Sequence, residues 1–308
     1  MNDIKVLGEP EYIYEMGIDG TQRRVAVNLA AKVADSIALI RRGESLALSM
    51  DEEGYMVGYS GGKDSECLLA LYKLSGVKGR PYMSLTSVDP PEVVKYVRQV
   101  HPEVQLIRPK KNIFVAATEK GCVPTMLRRW CCAEYKEAVG AGHVVMVGVR
   151  RAESVRRARR KEISVTGHKD EDTTLDQFVA RREREHVCID GKDKIVLSPM
   201  LEWTEADVWD FIGKMGLPHC PLYDRGRHRI GCILCPMSSY ANKLRDCKEY
   251  PYVKTGWLKV LQYIREQREA KGKKNMLSSA EEDFAWWISG MCCEDFIARR
   301  DEGGGLPL

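Results

Sequence analysis

The chain has 308 residues, 44% hydrophobic and 30% charged, enough apolar surface for a core and length for about two domains. No run approaches the roughly 18 uninterrupted apolar residues of a membrane helix, and the opening MNDIKVLGEPEY lacks both a basic start and an apolar signal core, so a cytoplasmic protein without a membrane partner is expected. A net charge of +4 does not announce a nucleic-acid binder by itself, and eleven cysteines without a secretion signal argue against a disulfide framework and for metal or cluster ligation.

Taken in chain order, VAVNLAAKVADSIALIRRGES repeats apolar residues at helical spacing, and residues 1–50 read as an N-terminal helical segment. GYMVGYS (54–60) reads as a strand, and DSECLLALYKLSG as a helix of about three turns ending at Gly76. The alternation continues with RPYMSLTSVD (80–89) as strand, PPEVVKYVRQVH as helix, VQLIRP as strand, NIFVAATEKG as helix and HVVMVGVR (143–150) as strand. Such alternation predicts an α/β fold: a mainly parallel, doubly wound sheet with helical N- and C-terminal additions, and ligands at the carboxyl ends of its strands. Residues 60–62, Asp89 and Arg150 fall at such ends. From 151 to 193 the apolar pattern gives way to a charged stretch that reads as a long loop or lid. Thr204 and Asp207 then form an approximate capping box ahead of a helix, and residues 241–308 read as a helical C-terminal region after a domain spanning 51–240.

In SGGKDS, Ser60, Gly61, Gly62, Lys63, Asp64 and Ser65 link a strand to a helix, so successive backbone N–H groups and the helix dipole face one point. Gly61 and Gly62 permit close approach, Lys63 can reach a phosphate oxygen, and the serine hydroxyls add donors. A plain tight turn is the simpler alternative; six ordered residues favour the nucleotide. The stretch lacks the G-x-x-x-x-G-K-S/T spacing of the common P-loop. Asp64 either helps hold Mg²⁺ or caps the helix, and Asp89 is a positional candidate for ribose or adenine.

Cys131 and Cys132 are adjacent, and Cys232 and Cys235 form a C-x-x-C about a hundred residues later. Adjacent cysteines suit one tetrahedral zinc poorly and a cubane iron–sulfur cluster better. Burial as plain thiols is the alternative for the first pair. Cys67, Cys188, Cys247, Cys292 and Cys293 read as core or surface thiols, with Cys122 and Cys220 as substitute ligands.

The loop matches the S-G-G-x-D-S pyrophosphate loop of adenine-nucleotide α-hydrolases. Together with SVDPPEVVKYV, RRWCCAEYK, VGVRRAESVRR, MLEWTEADVWDFI and LPHCPLYDRGRHRIGCILCP, it makes residues 50 to 240 resemble the phosphoadenylyl-sulfate reductase family. The resemblance implies attack at an α-phosphate and a 4Fe–4S cluster on Cys131, Cys132, Cys232 and Cys235. It also implies nucleotide phosphate or sulfate held by Ser60 to Ser65, with Gly148 among the nucleotide-binding residues, and a substrate pocket lined by Arg150, Arg151, Glu153, Ser154 and Arg157. Family reductases carry a catalytic cysteine in a C-terminal E-C-G-I/L-H segment, whereas this chain ends in ARRDEGGGLPL, leaving Cys292 and Cys293 as the nearest candidates.

Three functions follow. In the first, ATP with Mg²⁺ adenylylates an acceptor, with Lys63 and Asp64 catalytic, and a sulfur donor displaces AMP; VRRAESVRRARRK would offer a nucleic-acid acceptor a basic patch. In the second, adenylyl sulfate is reduced with a thiol reductant protein. The third is a nucleotide- and cluster-binding partner in a modification or defence complex.

Overall fold

The computed structural model describes residues 4–16, 22–166, 174–185 and 194–302. Two compact units form, each discontinuous in sequence: residues 1–83, 91–107 and 139–230 in the first, and 84–90, 108–138 and 231–308 in the second.

The first unit contains a six-stranded sheet. Its strands are β3 (Tyr55–Gly58), β4 (Gly79–Ser84), β5 (Gln105–Ile107), β6 (Val144–Met146), β7 (Ile163–Val165) and β8 (Ile195–Leu197), after a separate hairpin of β1 (Tyr12–Met16) and β2 (Gln22–Ala26). The spatial order is β5-β4-β3-β6-β8-β7; β3 runs parallel to β4 and β6, β6 parallel to β8, and β7 antiparallel at the edge. Chain order therefore reverses direction at β3, and the carboxyl end of β3 is the switch point where such sheets open a crevice. YMVG is buried almost throughout, as a strand covered on both faces must be.

Helices α1 (Leu29–Arg42), α2 (Glu44–Met50), α3 (Lys63–Ser75), α4 (Pro91–Val100), and farther along α7 (Val155–Ala158), α8 (Leu175–Glu185) and α9 (Glu205–Lys214) complete this unit. Asn28 caps α1 through the Ala31 N–H, and Thr204 with Asp207 forms a reciprocal capping box on α9. Helix α1 is joined to the segment before α9: Ser36 Oγ donates to the Pro199 carbonyl at 2.7 Å, accepts from Trp203 Nε1 at 3.1 Å, and Lys32 pairs with Asp207 at 2.6 Å. Val33, Ile37 and Ile40 of α1 share one core with Leu68, Leu71, Val208 and Phe211.

Two sequence expectations change. Residues 1–50 are not helical throughout, because the hairpin precedes α1; its residues are mostly exposed, so no inward alternation marked them. The hairpin is held to α1 by Arg24, which lies 4.2 Å over the Tyr12 ring and pairs with Asp35 at 2.7 Å. The charged stretch 151–193 is not simply a loop. It holds a 3-10 turn (Arg151–Glu153), α7, β7 and α8, anchored by the buried Ile163, Val165, Leu175 and Phe178; residues 167–173 and 186–193, with Cys188, lie outside those described. A few apolar anchors among many charges suffice to fix secondary structure but leave little periodicity to read.

The second unit is helical: α5 (Ile113–Lys120), α6 (Trp130–Cys132) continuing into a π turn (Ala133–Glu137), α10 (Tyr240–Glu249), α11 (Pro251–Ala270), α12 (Ala280–Ser289) and α13 (Cys293–Asp301). Trp287 lies at its centre, its ring 4.9 Å from that of Trp257 and 5.9 Å from that of Phe284, and its Nε1 donates to the Pro124 carbonyl.

Among the described residues no helix is long and apolar enough to cross a membrane.

Candidate functional site

Residues 59–65 turn from β3 into α3 at the switch point. Gly61 has φ +71°, in the left-handed region, and Gly62 precedes the helix with no side-chain cap. The loop braces itself: Ser65 Oγ donates to the Gly62 carbonyl at 2.8 Å and accepts the Ser60 N–H at 3.1 Å, and the two hydroxyls lie 3.2 Å apart. The first N–H groups of α3 are thus left to partners from outside the helix, the arrangement that favours an anion. Tyr223 supplies one such partner, its hydroxyl accepting the Lys63 N–H at 2.8 Å.

Lys63 is buried at 6% exposure. Its ammonium lies 3.5 Å from Glu205, 3.7 Å from Asp64 and 3.4 Å from the His228 carbonyl, and 5.7 Å from the Tyr223 ring centroid. Asp64 does not cap the helix. Its Oδ1 accepts from Arg150 Nε at 2.5 Å and its Oδ2 faces Lys63, so both oxygens look at cations. Arg150 is itself buried, and its N–H donates to Glu153 at 3.0 Å. Gly148, just beyond β6, lets that segment close on the loop: a Cβ there would lie 2.7 Å from the Asp64 carbonyl oxygen. Gly148→Ala should therefore lower stability by about 1–3 kcal/mol, as forced overpacking does, read as a lower urea midpoint at unchanged m-value. An unchanged midpoint would show that the loop yields freely.

Beneath the loop, the buried Glu66 carboxylate collects Tyr59 Oη at 2.6 Å, Tyr96 Oη at 3.0 Å and His101 Nε2 at 2.9 Å. Burial, then the Glu66 charge, pushes both phenols well above the ordinary tyrosine range, so they stay donors. Tyr59 immediately precedes Ser60, so the network anchors the loop from below. Neither Glu66 nor His101 gave a sequence signal, each being one polar residue in a helical pattern.

The predicted substrate residues share this unit but not one task. Arg151 is paired with Glu202, Arg157 with Glu153, and Ser154 caps α7 through the Arg157 N–H. Burial, followed by the neighbouring Arg229, Arg160 and Arg150, lowers the Arg157 pKa, marking a concentration of positive charge. Arg159, Arg160 and Arg229 are exposed. A cavity of about 220 Å³ is lined by Glu205, Trp209, His219, Tyr223, Arg227 and His228 among others. No motif marks these residues singly, although all six fall in the MLEWTEADVWDFI and LPHCPLYDRGRHRIGCILCP stretches.

In the second unit, Cys131 and Cys132 lie on α6, and Cys232 and Cys235 flank a tight turn whose Leu234 has φ +56°. Left-handed backbone costs a non-glycine residue roughly 1–2 kcal/mol, so the turn must be held by its surroundings. Asp246, buried at 4% exposure, accepts the Leu234 N–H at 2.8 Å, and the Val88 carbonyl accepts the Ile233 N–H at 2.8 Å. Asp246→Ala should cost about 1–3 kcal/mol by stranding that buried N–H, and Asp246→Asn, which keeps an acceptor, should cost less. Equal urea midpoints for the two variants would refute the assignment.

Asp89 belongs to the second unit, and its carboxylate accepts the Thr86 N–H at 2.6 Å and hydroxyl at 2.9 Å, closing a turn in the segment whose Val88 carbonyl braces the C-x-x-C. The four thiols influence one another. Cys131 is pushed up by its hydrogen bond to Cys132, by burial and by the charges of Cys132, Cys232 and Cys235; Cys132 is lowered to about 6, chiefly by that bond. Cys232 most strongly, then Asp89, Cys235 and Cys132, push the Lys136 pKa up. Among the described residues no three His, Cys, Asp or Glu side chains are placed to hold one metal ion. Two buried donors beside the first cysteine pair in the chain, Trp130 Nε1 and Tyr135 Oη, have no hydrogen-bond partner among the described residues.

Cys67 and Cys220 are buried in the first unit. Cys292 is exposed at the N-cap of α13, its sulfur accepting the Asp295 N–H at 3.3 Å. Burial, then Asp283 and Cys292, raises the Cys293 thiol.

A family model described as the phosphoadenosine phosphosulfate reductase domain matches residues 54–238, more than half of the chain. The chain belongs to the phosphoadenosine phosphosulfate reductase domain family. Its match takes in the loop, Gly148, the arginines and both cysteine pairs. An uncharacterized protein of Methanocaldococcus jannaschii is 26% identical over 224 residues, covering 69% of this chain and 42% of that protein. A second one from the same organism is 26% identical over 207 residues, 46% of its length, so the chain spans less than half of these two relatives. The adenosine 5'-phosphosulfate reductase of Geobacillus thermodenitrificans is 41% identical over 61 residues, 20% of this chain and 26% of that enzyme. Among solved structures, the phosphoadenylyl-sulfate reductase of Candida auris in a phosphate complex aligns at a TM-score of 0.40 and 14% identity, over 68% of this chain and 97% of that one. The FMN adenylyltransferase of Candida glabrata aligns at 0.43 and 15%, over 71% of each.

Proposed function

We propose that the chain binds ATP at Ser60–Ser65 and directs an acceptor to its α-phosphate, releasing pyrophosphate and leaving an adenylylated acceptor for sulfur transfer. The observation that carries this reading is the uncapped start of α3 at the switch point, with the buried Lys63 beside it. Donors fixed before the ligand arrives stabilise charge on the departing pyrophosphate without reorganising. Lys63 and the loop amides would meet that charge, while Arg150, aligned by Asp64 and Glu153, adds a cation from the other side. Both Asp64 oxygens already face cations, so Asp64 suits orienting Arg150 better than binding Mg²⁺. Any Mg²⁺ would come with the phosphates of ATP.

Cys131, Cys132, Cys232 and Cys235 would hold a 4Fe–4S cluster. Two mutually influencing thiol pairs, a strained C-x-x-C turn fixed by Asp246, and two buried donors lacking a partner support it. When bound, such a cluster supplies thiolate-ligated iron for sulfur or electron transfer. The exposed Arg159, Arg160 and Arg229 favour a nucleic-acid acceptor, whose binding would weaken steeply with salt.

The test is incubation of anaerobically purified protein with ATP and total cellular RNA or DNA, measuring AMP and pyrophosphate and searching the nucleic acid for thiolated bases by mass spectrometry. Sulfite released from an adenylyl sulfate, with no pyrophosphate from ATP, would instead establish the reductase. The likeness to adenosine 5'-phosphosulfate reductases favours that second reading. Its thiol nucleophile would be Cys292, Cys293 or a partner's thiol, and of the first two Cys292 is the exposed one, at the N-cap of α13. A colourless protein with stoichiometric zinc would refute the cluster.

A further inference from the structure

Hydrogen-bonding groups buried without a partner are uncommon, and each calls for an explanation. In the second unit, Tyr135 Oη, Trp130 Nε1 and Trp257 Nε1 are buried with none. Trp257 packs its ring against Phe114 at 5.1 Å and Trp287 at 4.9 Å, where an indole N–H can face an aromatic ring. Trp130 and Tyr135 have a different setting. They flank Cys131 and Cys132 on one continuous helical stretch, and Cys131 and Tyr135, four residues apart, lie on the same face of it. Tyr135 is 3% exposed, and it packs in one cluster with Ile233 and Leu234 of the C-x-x-C turn, against which Trp130, Cys131 and Cys232 also pack.

We propose that Tyr135 O–H and Trp130 N–H are hydrogen-bond donors to the sulfur atoms of the group held by the four cysteines, a role that rests on the cluster reading above. Both donors are neutral and neither has a hydrogen-bond acceptor among the described residues, whereas thiolate and bridging sulfide are acceptors that carry charge. Hydrogen bonds to cluster sulfurs are one of the protein's means of tuning and protecting a cluster. Tyr135 and Trp130 are thus tuning residues that touch the cofactor's sulfur.

The full-length chain, reconstituted anaerobically with ferrous iron and sulfide, is the material for the test. In resonance Raman spectra, the iron–sulfur stretching bands should shift between H₂O and D₂O, and Tyr135→Phe should remove a measurable part of that shift while iron and sulfide content per chain stay the same. The same variant should lose its visible absorption to a chelator about three- to tenfold faster. Trp130→Phe is the second variant, giving the same direction of change if Tyr135→Phe fails to fold. Wild-type isotope shifts and bleaching rates in the folded, loaded variants would overturn the proposal. Wild-type protein that takes up no iron would overturn the cluster reading itself, a different result from a loaded cluster indifferent to Tyr135.

Discussion

Lys63→Ala is expected to slow ATP-dependent pyrophosphate release by about 100- to 1,000-fold, the roughly 2.7–4 kcal/mol that removing one preorganised donor to a developing negative charge typically costs. The lysine is placed for this before any ligand binds. It is nearly buried, tethered by Glu205 and Asp64, and its own N–H is one of the first of α3. Much of the effect should appear in kcat rather than KM, because charge on the leaving group grows only as the bond breaks. Lys63→Arg should not restore the rate. The guanidinium needs more room than a site closed by Tyr223, Glu205 and the His228 carbonyl provides. A Lys63→Ala rate within tenfold of wild type would remove this lysine from the reaction.

Gly61→Ala should cost about 2–5 kcal/mol of stability. Two separate penalties combine. The backbone at φ +71° is left-handed, worth roughly 1–2 kcal/mol against any side chain, and the added Cβ would stand 2.5 Å from Val93 Cγ1, an overlap worth roughly 1–3 kcal/mol. A double-mutant cycle separates them. Val93→Ala removes the colliding methyl groups, so Gly61→Ala should be less damaging in that background by about 1–3 kcal/mol, leaving the backbone penalty in place. Urea unfolding of the four proteins provides the comparison. Strict additivity would mean that α4 moves aside at no cost and that the glycine is required by the backbone alone.

The parts of the fold that could be read from the chain are those in which burial imposes a period. YMVG before SGGKDS, and the alternating runs after it, lie in a sheet covered by helices, so their apolar residues leave a continuous record. The hairpin of Tyr12–Met16 and Gln22–Ala26 left none, because it buries little. Within the candidate site, a motif could locate Ser60–Ser65 and the cysteine pairs because the residues are contiguous. It could not find Glu66, His101, Tyr223 or Glu205, which meet the loop only after folding and are single polar residues in otherwise ordinary stretches. Asp89 illustrates the converse: its place at a strand end is legible in the chain, whereas its hydrogen bonds to the Thr86 N–H and hydroxyl are not.

The Tyr223 hydroxyl on the Lys63 N–H has a consequence for selectivity. The loop is not a bare donor, because a phenol already occupies one amide. A neutral oxygen arriving there would trade one ordinary hydrogen bond for another and gain almost nothing. An anionic oxygen would exchange it for a charge-assisted bond of about twice the strength. The tyrosine is thus an incumbent that a neutral ligand would replace with no net gain and an anion with one. Its removal should tighten both by the same factor, leaving the preference for the anion with the charge-assisted bond itself.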